Sequence, residues 1–162
     1  MAEPDPTERN LRSALSSAVC YQDPKAAIRW LEEAFGFEPL MVILDDQENL
    51  THSEMRFGNS TLMVAPEWTP GPTSPQKSPR SIGGANTQAI HVQVEDGLDE
   101  HCERARKAGA TIIQEPETQF YGDRTYRALD PEGHLWSFGM TVATMTPEEW
   151  DKVSGLTTRT RL

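Results

Sequence analysis

Apolar and polar positions along the chain fall into the same order twice, with the second round starting about seventy residues after the first. In the first round, Ala18-Val19-Cys20-Tyr21 is a short apolar run that suits a strand. Asp23-Pro24 then supplies a helix start, Asp as the cap and Pro at the first helical position. Ala27, Ile28, Leu31, Ala34 and Phe35 recur at helical spacing, while Arg29, Glu32 and Glu33 turn outward, and Gly36 ends the helix. Three strands are predicted next: Pro39–Leu44, then Thr51–Phe57 after a polar turn, then Thr61–Ala65 after Gly58-Asn59. In the middle strand Met55 and Phe57 alternate with His52, Glu54 and Arg56.

The second round opens at Ala89–Glu95, where Ile90, Val92 and Val94 alternate with His91, Gln93 and Glu95. A helix is predicted from Gly97 to Ala108, stopped by Gly109, and strands over Thr111–Gln114, Arg124–Leu129 and Leu135–Met140. Each round is therefore a βαβββ unit. Such a unit cannot bury both faces of its sheet alone, so two copies are expected to pack around a shared cavity.

The boundaries follow from the breaks in this pattern. Residues 1–10 read as a flexible arm, 11–65 as the first module and 89–140 as the second. Between them, 66–88 is a linker rich in Pro and Gly, which no core strand fits. Residues 141–162 form an extension whose Thr146-Pro147-Glu148-Glu149 starts a short helix.

Composition narrows the class. Hydrophobic residues make up 36% and charged residues 25%, with no apolar run near membrane-spanning length. The acidic start, Met1 to Pro6, lacks the apolar stretch of a secretory signal. Reduced Cys20 and Cys102 in a cytoplasmic protein are the simpler expectation. The net charge is −10 and the fifteen Lys and Arg are scattered, which argues against a nucleic-acid partner.

Several stretches together carry a resemblance: Asp23 to Leu31, Ala34-Phe35-Gly36-Phe37, Ala108-Gly109-Ala110, Tyr121-Gly122-Asp123-Arg124, and Asp130-Pro131-Glu132-Gly133-His134-Leu135-Trp136. Over residues 11–140 the chain resembles the vicinal oxygen chelate superfamily: glyoxalase I, bleomycin resistance proteins and extradiol dioxygenases. The resemblance implies an α+β fold in which two βαβββ modules form a curved, barrel-like mixed sheet with helices outside. It also implies a homodimer in which modules of two chains complete each cavity. In metal-dependent members, four strand positions supply His, Glu or Gln to one divalent cation. Those positions fall here on Ser16, Met63, Ala89 or Ile90, and Ser137. Hydroxyls, a thioether and an alkyl group supply neither charge nor imidazole, a poor set for Zn²⁺, Ni²⁺ or Fe²⁺.

The candidate site residues are His52, Glu54, His91, Gln93, Tyr121 and Arg124, with no catalytic residue assigned. His91, Gln93 and Glu95 share one strand face, as do His52 and Glu54. They are either polar residues on a wet sheet face or, with His52, Glu54 and His91 together, a relocated divalent-metal site for Zn, Ni, Fe or Mn. Arg124 could anchor an anionic or carbonyl group with Tyr121 stacking beside it; equally, Asp123 and Arg124 could pair locally and fix a turn. His134 beside Gly133 reads as satisfying backbone groups, His101 as solvated in mid-helix, and Trp136 and Phe138 as core. Trp30 and Trp68 are expected at the surface, Trp68 as a wall over a ligand, and Trp150 as a brace for a dimer. The expectation is a protein that binds a small aromatic or amphipathic molecule with no cofactor. An acidic protein of this kind is compatible with cationic ligands. The alternatives are a metal-dependent lyase, isomerase or dioxygenase, and a domain with a vestigial cavity that serves protein interaction.

Overall fold

The computed structural model describes residues 15–67 and 75–161. The expected N-terminal arm and Trp68 lie outside the described residues. The first module runs β1 (Ser17–Tyr21), α1 (Pro24–Phe35), β2 (Glu38–Leu44), β3 (Leu50–Phe57) and β4 (Ser60–Pro66). The second runs β5 (Ala89–Gln93), α2 (Leu98–Lys107), β6 (Thr111–Thr118), β7 (Asp123–Leu129) and β8 (Leu135–Thr141). A 3-10 turn at Pro79–Ile82 lies between them, and α3 (Pro147–Ser154) follows. The sheets have orders β1-β4-β3-β2 and β5-β8-β7-β6, with β1 parallel to β4 and β5 parallel to β8. β5 stops at Gln93, short of Glu95, and β6 continues past Gln114 to Thr118.

The helices form where the local signals place them. The Asp23 carboxylate accepts the Ala26 N–H at 3.0 Å, and Gly36 closes α1 at φ 78°, a left-handed conformation that glycine adopts without a side-chain penalty. α1 buries Ala27, Ile28, Leu31, Ala34 and Phe35, and α2 buries Leu98, Cys102 and Ala105. α3 carries the full Thr146–Glu149 capping box but buries none of its residues.

One core joins both modules. Val19, Tyr21, Met55, Leu62 and Val64 of the first sheet share it with Val92, Tyr126, Ala128, Trp136 and Phe138 of the second. Phe35 sits at its centre, with ring centroids 5.2 Å from Trp136 and 4.7 Å from Phe138. α1 and α2 interlock around it: the Trp30 indole N–H donates to the Ala108 carbonyl at 2.7 Å, and Arg104 donates to the Glu32 and Glu33 carbonyls, both at 2.6 Å. Trp30 is thus a half-buried bridge between the helices, not the surface aromatic expected.

His101 also departs from expectation. It is half-buried against the core, hydrogen-bonded through Nδ1 to the Tyr126 hydroxyl at 2.7 Å and through Nε2 to the Phe35 carbonyl at 3.0 Å. Its spacing from Leu98, Cys102 and Ala105 puts it on the buried stripe of α2. Burial holds its imidazole below the usual pKa, against a small upward pull from the Phe35 carbonyl.

Because the helices meet each other, the two sheets turn their other faces outward and do not close into a barrel within the chain. The architecture remains the curved α+β arrangement expected, with those faces open. β2 is the most exposed strand: Leu40, Met41, Val42, Ile43 and Leu44 are each 39–49% accessible.

Candidate functional site

In the Asp130–His134 turn the side chains of Asp130, Glu132 and His134 are buried and hydrogen-bonded. Asp130 accepts from the Tyr21 hydroxyl at 2.7 Å, the Trp136 indole N–H at 3.1 Å, and the Glu132 and His134 backbone N–H groups at 2.9 and 3.0 Å. Glu132 accepts the backbone N–H groups of Gln22 and Asp23 at 2.8 and 2.9 Å, and the Ser78 hydroxyl at 2.6 Å. Its carboxylate thereby neutralises donors at the start of α1, where negative charge is favoured. His134 Nε2 reaches the Cys20 carbonyl at 2.8 Å, which is the backbone role its sequence context implied. Burial pushes the Tyr21 phenol far above its usual pKa, reinforced by Asp130 and Glu132, so it stays a hydrogen-bond donor. Through these three buried side chains the turn clamps β1, the linker and β8 together.

The outward face of the second sheet is different. His91, Ser137, Arg127 and Gln114 occupy one cross-strand row, since His91 and Arg127 are both register partners of Ser137 and Gln114 is the partner of Arg127. Gln93, Gly139 and Thr125 form the next row. His91 Nδ1 lies 3.2 Å from the Ser137 hydroxyl and its Nε2 3.4 Å from Gln93 Oε1, while the Gln93 amide donates to the Thr141 hydroxyl at 3.1 Å. For a neutral imidazole this has one consistent assignment: Ser137 donates to Nδ1, and Nε2–H donates to Gln93. The ring lies over Gly139, where an added Cβ would sit 3.0 Å from His91 Cε1. Gly139 is therefore the space that lets His91 lie against the sheet.

A groove of about 1250 Å³ runs along β5 and opens beside this face, lined by Ser16, Ala18, Phe57, Thr61, His91 and Gln93 among others. A second cleft of about 450 Å³ abuts the far end of the ladder at Thr141, with Phe120, Tyr121, Met145 and Trp150 as its wall. Tyr121 is there as an exposed aromatic, packed edge-on against Phe120 at 5.2 Å.

The remaining candidates divide between the sheets. His52 and Glu54 sit together on the outward face of the first, 3.8 Å apart, beside Ile43 and Met41. The single chain does not gather His52, Glu54 and His91, and among the described residues no three His, Cys, Asp or Glu form a metal-holding group. Arg124 projects to the helix side, where it forms a two-pronged pair with Asp99 at 2.7 and 3.0 Å. The local Asp123–Arg124 pair is not formed. Asp99, held below the usual carboxylate pKa by the Arg124 hydrogen bonds, fixes β7 to α2 instead. Sequence reading passed over Arg127, although the alternation of Tyr126 and Ala128 with Thr125 and Arg127 carries the signal for it.

The four positions at which the resemblance places metal ligands all carry unsuitable donors. Ser16 is bonded to Thr61 at 2.7 Å, Met63 is a thioether, and Ser137 is engaged with His91. Of the two readings on β5, Ala89 faces outward with His91, and Ile90 packs against the core. This donor set does not fit a resident divalent cation.

The family model of the Glyoxalase/Bleomycin resistance protein/Dioxygenase superfamily matches residues 15–138. The chain belongs to this superfamily. An uncharacterized protein of Mycobacterium tuberculosis is 31% identical over 140 residues, 86% of this chain and 81% of that protein. TioX from Micromonospora sp. ML1 superposes with a TM-score of 0.62 at 32% identity, covering 83% of this chain and 100% of that one. A glyoxalase/bleomycin resistance protein from Streptomyces sp. CB03234 shares the fold at 18% identity and a TM-score of 0.56, over 78% of this chain and 98% of that one. No helix among the described residues is long and apolar enough to cross a membrane.

Proposed function

We propose that this superfamily member binds a small aromatic or amphipathic molecule on the outward face of its second sheet, without a catalytic metal. The observation that carries the reading is the His91–Gln93–Thr141 ladder, an ordered set of polar groups on an exposed face. Apolar walls flank it, with Phe57 in the groove and Phe120 and Tyr121 in the cleft, as small-molecule sites require. The two serines, the methionine and the alanine or isoleucine at the superfamily's metal positions favour binding over metal-assisted chemistry.

The functional unit in this reading is a homodimer. β1 and β5 each have one paired neighbour, and β2 exposes five consecutive apolar side chains, a surface suited to a second copy. Pairing of modules across two chains would set the face carrying His52 and Glu54 opposite the one carrying His91. A monomer mass by light scattering at micromolar concentration sinks the dimer.

The binding reading is tested by metal content after tag-free, chelator-free purification, and by melting with added Ni²⁺, Zn²⁺, Fe²⁺ or Mn²⁺. No retained metal and no thermal shift is the expected result. One tightly held equivalent per cavity, lost in His91→Ala, would replace it with the metal-dependent enzyme reading.

A further inference from the structure

We infer that Arg127 makes the outward face of the second sheet selective for ligands bearing an oxyanion, a carboxylate on an aromatic or amphipathic body. The inference rests on the binding reading above and names its ligand class. Three strand positions in the two sheets carry a basic residue other than histidine: Arg56, Arg124 and Arg127. Arg56 is paired with Glu38 and Arg124 with Asp99. The Arg127 side chain has no ion pair or hydrogen bond among the described residues, and it is exposed. Glu117 is the carboxylate closest in register, opposite Thr125 one step along the same face, and it forms no ion pair with Arg127.

The setting makes this unpaired guanidinium informative. The chain has 25 acidic residues against 15 basic ones, and the other two strand arginines on these sheets each take a carboxylate. Arg127 instead stands directly across from Ser137, whose hydroxyl is committed to His91 Nδ1. A carboxylate lying over Ser137 would take two parallel N–H bonds from the guanidinium fork. The imidazole, fixed by Ser137 and Gln93, would meet the body of the ligand with its ring. Gln114, the partner of Arg127 on the other side, donates one amide N–H to Thr125 at 3.3 Å, and its amide is neutral, so the guanidinium is the charged donor of this row. The overall acidity of the protein favours cations at long range. Arg127 reverses that preference at contact distance, where the charge-assisted hydrogen bonds act.

The test compares three probes of one shape: naphthoate, naphthamide and naphthylmethylammonium, titrated into the full chain by calorimetry. The expected result is naphthoate binding on the order of tenfold more tightly than naphthamide, with the ammonium weakest. In Arg127→Gln that anion-to-amide ratio falls to near one, while Arg127→Lys retains part of it and Arg124→Gln leaves it unchanged. An unaltered ratio in Arg127→Gln, or tightest binding of the ammonium, overturns the oxyanion assignment and leaves the binding reading standing. No binding of any of the three probes overturns both.

Discussion

At the Asp130–His134 turn, each charged side chain is buried and every oxygen or nitrogen that matters has a protein partner within 3.1 Å. On the outward face of β5 and β8, the polar groups bond only among themselves, at 3.1 to 3.4 Å, and stay accessible. Both regions contain a histidine and both lie on the second module. The difference follows from the cost of taking charge out of water: a buried carboxylate persists only when it is fully hydrogen-bonded, so such a cluster is spent on holding the fold together. An exposed cluster has no such obligation, because water satisfies whatever the protein does not. The most conspicuous motif in the chain is therefore a clamp, and the site reading rests on quieter residues.

Removing the clamp should have the largest effect. Asp130→Ala strands the Tyr21 hydroxyl, the Trp136 indole N–H and two backbone N–H groups, so a loss of about 3–5 kcal/mol is expected. Urea unfolding reads it directly; a loss below about 1 kcal/mol would erase the contrast between the two regions.

Glu132→Gln keeps the shape but removes the charge at the start of α1 and turns an amide toward at least one N–H donor. A loss of about 1–3 kcal/mol is expected. The variant that melts like the parent protein would mean that Ser78 and the linker do not depend on this carboxylate.

A third comparison uses pH. The folded state holds His101 below its ordinary pKa, so both states are neutral above about 6.5 and its contribution is complete there. As pH falls below that value the unfolded chain takes up the proton first, and stability declines until the folded pKa is passed. Denaturation midpoints between neutral and mildly acid pH should show this decline, and His101→Gln should flatten it. An equal decline in the variant assigns it to other groups.

The smallest effect on stability belongs to the outward face. His91→Ala should change folding free energy by no more than about 0.5 kcal/mol, as for other exposed positions. It should nonetheless weaken naphthoate binding, and Gly139→Ala should do the same by pushing the ring off its seat. If His91→Ala destabilises as Asp130→Ala does, the ladder is structural and the contrast fails.

Much of this was legible in the chain. The caps at Asp23, Gly36 and Thr146, and the periodicity of α1, β3 and β7, act over a few residues and placed the elements to within a few positions. Local reading went astray where a residue's partner lies far along the chain. His101 bonds to Phe35 and Tyr126, Trp30 to Ala108, and Arg124 to Asp99, each across tens of residues. For His101 the buried stripe through Leu98, Cys102 and Ala105 was a usable signal; for Arg124 there was none, because its choice between Asp123 and Asp99 depends on where α2 packs.

By itself, then, the sequence determined two βαβββ modules, their turns and the two faces of every strand, because helix and strand periodicity and capping are local properties of the backbone. The tertiary structure decided which of those faces is covered. The interlock of α1 with α2 around Phe35 buries one side of both sheets and leaves the other open, binding Arg124 to Asp99 and leaving the Arg127 side chain unpaired among the described residues. Those outcomes depend on contacts between residues distant in sequence, whose geometry no local pattern carries.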